Sequence, residues 1–253
     1  MKRGIVYACS HLRWIDETVH SAASCRRHMP DLACQLFITE ALKNEVGEGI
    51  REHFTDTIVI AEAGHPQRPR FEATLRTDLD QAIFIDGDTL FLSPVNELFE
   101  LLDHVDIAMA QAPQYFSPKA AALGLFDIMP KVSLAQPEWN TGVIVARVDE
   151  AFHSMVHEWS ALFEKCRAAG FSMDQASFRS ALVTSRLRFT TLPNNYNFRA
   201  NVENSLAGEV KILHAHGDLE KIGGYINAKQ SMRVYTPQRA EIYGFMPKPI
   251  SRP

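Results

Sequence analysis

The chain has 253 residues, of which 46% are hydrophobic and 22% charged, with a formal net charge of -4. This composition fits a globular protein with a packed core and excludes disordered and fibrous classes. The weak acidity supplies no basic face, so no nucleic-acid partner is expected.

Strand and helix patterns alternate through the first third. Residues 4–10 ("GIVYACS") read as strand, 15–28 as helix, 33–40 as strand, 42–53 as helix and 56–62 as strand. That rhythm predicts a parallel sheet. Helical spacing returns over 70–79, and "QAIFID" (81–86), apolar on both faces, is expected at the centre of the sheet. Ser93 and Pro94 read as the N-cap and first residue of a helix running through "VNELFELL". A strand follows at 107–111, then an irregular excursion over 112–138 that mixes proline, glycine and apolar residues without a sustained period.

Beyond it, "WNTGVIVARV" (139–148) reads as strand. Phe152, Met155, Val156, Trp159, Leu162, Phe163 and Cys166 give the next helix one apolar face that stops near Gly170. A further helix is expected over 174–185, and strands over 187–193 and 210–216 flank an asparagine-rich loop at 194–204. Cys9, Cys25, Cys34 and Cys166 form neither a CxxC pair nor a metal-ligand spacing, which reads as free thiols in the cytoplasm. No run of about eighteen apolar residues occurs, so no integral membrane span is expected.

The chemistry concentrates in "QAIFIDGDTLFLSP". Asp86 and Asp88 follow the fourth predicted strand, and in open parallel sheets ligands bind at the carboxyl ends of strands. Side chains at i and i+2 point the same way in extended chain, and Gly87 adds no bulk between them. Two carboxylates so close call for a cation, and Mg²⁺ or Mn²⁺ is commonly held by one or two carboxylates plus substrate phosphates. The competing reading is a plain surface turn, for which Asp and Gly are common residues.

The order "IFIDGDTLF", "EWNTGVIVAR", "MDQASF", "LPNNYNF", "KILHAHG" resembles retaining nucleotide-sugar glycosyltransferases of the glycogenin and lipopolysaccharide galactosyltransferase kind, over nearly the whole chain. The resemblance implies an α/β GT-A fold: one Rossmann-like domain over 1–253 with a mostly parallel central sheet, a nucleotide-binding half at 1–111 and an acceptor half at 112–253. It implies a nucleoside diphosphate sugar donor, a hydroxyl acceptor, and Mn²⁺ or Mg²⁺ held by Asp86, Asp88 and His214, with Asp86 also contacting the donor. His216 competes with His214, since both would share a strand face. Gly217 matches the family's His-x-x-Gly spacing after His214, Lys221 stands one residue beyond the place of a lysine that contacts the diphosphate, without the usual proline and tryptophan after it, and Arg70 matches a basic residue that reaches the donor's phosphate or sugar. Asn140 and Thr141 match a segment beside the transferred sugar, where asparagine both donates and accepts and Gly142 permits close approach. Ala8 and Ser10 stand at the nucleotide contacts of the first strand, although "YACSHLRW" lacks the family's acidic residue and tyrosine.

Asp174 and Gln175 match a pair beside the reacting anomeric carbon and are the candidate catalytic residues. Ser172 and Gln175 also have capping-box spacing, which accounts for them without chemistry. A carboxamide is a poor nucleophile, which favours a same-face route in which the leaving phosphate helps deprotonate the acceptor. Two other readings compete: a haloacid-dehalogenase-type phosphatase with Asp86 as nucleophile, and a nucleotide-sugar binding protein without turnover.

Overall fold

The computed structural model describes residues 1–60, 68–113, 120, 123–133, 135–237 and 241–244. Seven strands form the central sheet: β1 (Arg3–Cys9), β2 (Ala33–Thr39), β3 (Asp56–Ile60), β4 (Gln81–Ile85), β6 (Ile107–Gln111), β7 (Trp139–Arg147) and β8 (Phe189–Leu192). Their order is β3-β2-β1-β4-β7-β6-β8. The first four are parallel, as the βα rhythm predicts; β7 runs antiparallel to both neighbours, and β6 pairs β8 in parallel.

Every residue of β4 is buried, as its two-faced apolar run requires. Val6 and Phe84 project into one core layer, beneath α3 (Arg68–Arg76), α6 (Glu150–Ala168) and α7 (Gln175–Thr184). Ile5, Tyr7, Ile83 and Ile85 project into the other, which α1 (Ile15–His28) and α4 (Glu97–Glu100) cover. The Asp149 side chain caps α6 by accepting from the Phe152 N–H (2.9 Å), and all seven expected apolar residues of that helix are buried. Trp159 meets the rings of Phe71 and Phe178 edge-on at 4.7 and 4.8 Å, joining α3, α6 and α7; truncating such a side chain costs about 3–5 kcal/mol.

Several expectations are corrected. Over 42–53 only one helical turn forms, α2 (Glu48–Arg51), preceded by a 3-10 turn at Glu40–Leu42, because Gly47 is extended and interrupts the helix. Helix α4 begins after Asn96 and not at Pro94; Val95 is buried and its N–H donates to Met29 Sδ (3.4 Å). The 112–138 excursion contains α5 (Leu125–Ile128), and its residues 114–119, 121, 122 and 134 lie outside the described residues.

Two small sheets went unforeseen. In one, β5 (Thr89–Phe91) pairs antiparallel with β11 (Ile212–His214), which pairs in parallel with β9 (Phe198–Arg199). The other joins β10 (Asn204–Leu206), β12 (Arg233–Thr236) and β13 (Glu241–Gly244). Arg233, fully buried in β12, is satisfied by the carbonyls of Ile226, Ser231 and Gly208. Helix α8 (Leu219–Ile226) packs on the β5–β11 pair.

Candidate active site

The acidic turn leaves β4 at the carboxyl end of the parallel strands, and backbone bonds fix its course. The Asp86 N–H donates to Gly142 O (2.9 Å), extending the β4–β7 ladder by one bond. Because β7 is antiparallel, its first residues, Asn140 to Gly142, lie beside that turn. Asp86 O accepts from Thr89 Oγ1 (2.8 Å), which also shares a hydrogen bond with Ser21 (2.7 Å). Asp88 O accepts from the Ala215 N–H (3.0 Å), while the β5–β11 register sets His214 opposite Thr89. Three distant segments therefore converge on one point.

There, His214 Nε2 lies 3.3 Å from Asp88 Oδ1 and 3.7 Å from Asp86 Oδ2. One ligand atom from each of the three residues falls within 4.8 Å of the others. The hydrogen-bond network assigns the imidazole tautomer. Asn140 Oδ1 accepts the Gly142 N–H (2.9 Å), so Asn197 must present Nδ2 to the same oxygen (2.8 Å). That leaves Asn197 Oδ1 facing His214 Nδ1 at 2.7 Å, so Nδ1 carries the proton and Nε2 turns a lone pair toward the carboxylates.

Burial pushes the His214 imidazole below its ordinary pKa, against the pull of Asp88, so at neutral pH the ring is uncharged. Burial pushes the Asp88 carboxyl up, but in the acid range where it titrates His214 is protonated, and that contact with the nearby His216 and Arg199 outweighs burial and holds the group low. Two carboxylates and an imidazole lone pair converging on one point form a hard, oxygen-rich donor set of the kind that suits a divalent cation.

Glycines make this closeness geometrically allowed. A Cβ on Gly142 would stand 2.1 Å from His214 Cε1, and one on Gly87 would stand 2.2 Å from Thr18 Oγ1. Gly142 thus gives room to the imidazole.

Arg70, in the first turns of α3, donates to Asp86 Oδ1 and, through Nη1, to Asp174 Oδ2 (2.9 Å) and Thr141 O (3.2 Å). Asp174 is 3% exposed and its Oδ1 accepts from Thr141 Oγ1 (3.0 Å); its carbonyl accepts from Trp159 Nε1 (3.2 Å), tying the core helix to the site. The capping box does not form: Asp174 is the N-cap of α7 without a side-chain cap bond, Ser172 is exposed, and Gln175 Nε2 donates to Trp139 O (3.3 Å).

The turn opens into a cavity of about 300 Å³ whose wall includes Ala8, Ser10, Trp14, Arg70, Asp86, Asp88, Arg199, His214 and His216. A second cavity of about 170 Å³ is lined by Asn140, Phe171, Met173, Gln175, Arg199 and Asn201, among others. Arg199 belongs to both.

No family model and no curated protein matches the sequence. Solved structures do match its shape. Mouse xyloside xylosyltransferase 1 superposes with a TM-score of 0.56 at 15% identity, covering 85% of this chain and 98% of that one. Galactosyltransferase LgtC, in complex with donor and acceptor sugar analogs, gives 0.57 at 15% identity over 85% of this chain and 87% of that one. The glycosyltransferase GlyE of Streptococcus pneumoniae gives 0.53 at 17% identity over 79% of this chain and 48% of that one. The chain has the GT-A glycosyltransferase fold.

On this GT-A frame the expected residues separate into groups. Ala8, Ser10, Arg70, Asp86, Asp88 and His214 share the larger cavity; Asn140 and Gln175 line the smaller one. Thr141 and Asp174 lie behind the walls, joined to Arg70. His216, 70% exposed at its side chain, has its Nδ1 2.9 Å from Glu17 on α1 and 3.7 Å from Asp88 Oδ2. Gly217 lines neither cavity, and Lys221 is exposed on α8, where its N–H donates to Asp218 Oδ1 (3.1 Å). Sequence reasoning missed Asn197 and Arg199. Both fall in or next to "LPNNYNF", and the signal was a lone arginine directly after that motif.

Proposed function

We propose that this protein is a metal-dependent glycosyltransferase that moves a sugar from a nucleoside diphosphate donor to a hydroxyl acceptor with retention at the anomeric carbon. The observation that carries this reading is the convergence of Asp86, Asp88 and the uncharged His214 within 4.8 Å beside a cavity of about 300 Å³ on a GT-A fold. A Mn²⁺ or Mg²⁺ ion held by these three would neutralise charge on the departing diphosphate.

In this reading the chain's first half takes the nucleotide, with Ala8 and Ser10 along it, and the second half supplies the smaller cavity for the acceptor. The anomeric C–O bond breaks with its electrons passing to the diphosphate, the acceptor oxygen bonds to the same face, and its proton passes to the leaving phosphate oxygen. Gln175 and Asn140, both on the wall of the smaller cavity, orient sugar hydroxyls. Asp174, buried against Arg70 and Thr141, positions Arg70 and, through it, Asp86. The same Arg70 contact leaves Asp86 poorly suited to attack a phosphate ester, which disfavours the phosphatase reading. Among the described residues no helix is long and apolar enough to cross a membrane, and the four free, buried cysteines fit the cytoplasm.

Calorimetric titration with the five common nucleoside diphosphates, with Mn²⁺ and with chelator, tests this. Metal-dependent binding of one base is expected, followed by transfer from its sugar conjugates. Absence of binding by every nucleotide in both conditions would overturn the reading.

A further inference from the structure

Arg70 and Arg199 are the guanidinium groups on the wall of the larger cavity. The nitrogens of Arg70 are committed inward, to Asp86, Asp174 and the Thr141 carbonyl. Arg199 is different. Among the described residues no carboxylate pairs with it, and its Nε makes one long hydrogen bond, to Asn201 Oδ1 (3.4 Å). The β9–β11 pairing places Arg199 in register with His214, so its backbone is held beside the metal-ligand set. Its side chain is partly buried and faces the larger cavity on one side and the smaller on the other. Burial works against its charge, opposed by the nearby Asp88 carboxylate.

A half-buried guanidinium whose terminal nitrogens lack a protein anion is incompletely satisfied, and its planar fork matches phosphate oxygens in bidentate fashion. We infer that Arg199 is the cationic side chain that receives the donor's diphosphate, and that Lys221 is not. This rests on the glycosyltransferase reading above and adds to it the residue that takes up leaving-group charge. Its location suits that role, because the two cavities meet where the anomeric C–O bond breaks toward the diphosphate and the acceptor oxygen approaches. A cation there faces the phosphate oxygen that gains the electron pair and then the acceptor's proton.

The test uses inorganic pyrophosphate with Mn²⁺ as probe, titrated calorimetrically into the full-length wild type, Arg199→Gln, Arg199→Lys and Lys221→Gln, with Mn²⁺ alone titrated in parallel. Losing charge-assisted hydrogen bonds is expected to weaken pyrophosphate binding at least about tenfold in Arg199→Gln. Arg199→Lys should recover part of that, while Lys221→Gln stays within about twofold of wild type and all variants keep wild-type Mn²⁺ affinity. Pyrophosphate binding that survives Arg199→Gln overturns the assignment alone, and so does a loss confined to Lys221→Gln. Loss of Mn²⁺ affinity in Arg199→Gln also overturns it, since the residue would then serve the metal-ligand set. A wild type that binds no pyrophosphate with Mn²⁺ overturns the donor site itself, and this inference with it.

Discussion

His214 Nδ1 lies 2.7 Å from Asn197 Oδ1, and through that bond the backbone of Gly142 and the amides of Asn140 and Asn197 decide which imidazole nitrogen is free to bind a cation. Partners of this outer kind typically account for about 10–100-fold in metal affinity. Asn197→Ala is therefore expected to weaken Mn²⁺ binding by that order, read as free-ion signal in electron paramagnetic resonance. Unchanged affinity in a folded variant would show that the relay does not orient the ring.

Gly142→Ala should remove the site by a different route. The new methyl would meet His214 Cε1 at 2.1 Å and Asn140 Oδ1 at 2.8 Å. Overpacking of this sort costs about 1–3 kcal/mol, and the imidazole is the group that must move. The expected outcome is a lowered melting temperature together with loss of the Mn²⁺-induced thermal shift. A variant that still gains wild-type stability from Mn²⁺ would refute the close-packing argument.

Arg70 and Asp174 form a pair whose side chains are 15% and 5% exposed. Removing one partner of a buried pair costs about 3–5 kcal/mol, because the other charge is stranded. Urea unfolding should show Arg70→Met destabilised on that scale and Arg70→Met/Asp174→Asn recovering much of the loss. A single variant within about 0.5 kcal/mol of wild type, the range of ordinary surface substitutions, would contradict the pairing.

Alkaline stability should follow the buried thiols. Burial pushes the Cys25 thiol up from 9.0 to about 12, against the lowering effect of Arg26. A folded pKa above the unfolded one means that the contribution is complete below pH 9.0 and is lost as pH rises toward about 12. The urea midpoint is expected to fall between about pH 9 and about pH 10.5, and to fall less in Cys25→Ala. Equal slopes in the two proteins would remove Cys25 from the account.

The central sheet was legible because its strands are uniform apolar runs, and α6 because seven apolar residues repeat at helical spacing along one face. Asp86 and Asp88 stood out for the same reason: charge directly behind a buried strand needs a cause. Where the reading failed, the deciding interaction was not local. Val95 meets Met29 at the end of a distant helix, and the fate of Gln175 is set by Trp139. Asn197 and Arg199 belong to a stretch of sequence with no period, and only the pairing of β9 with β11 gives them a place in the site.

The β5–β11 pairing has a temporal consequence. It joins Thr89 to His214 across more than a hundred residues, and closing so long a loop is slow compared with forming neighbouring βα units. Asp86, Asp88 and His214 are then expected to come together later than the β1–β4 sheet, so a cation bound there would recognise chains in which this pairing has formed. In a stopped-flow refolding experiment, capture of Mn²⁺ should lag behind the far-ultraviolet signal of the sheet, which would make the ion a reporter of completed folding.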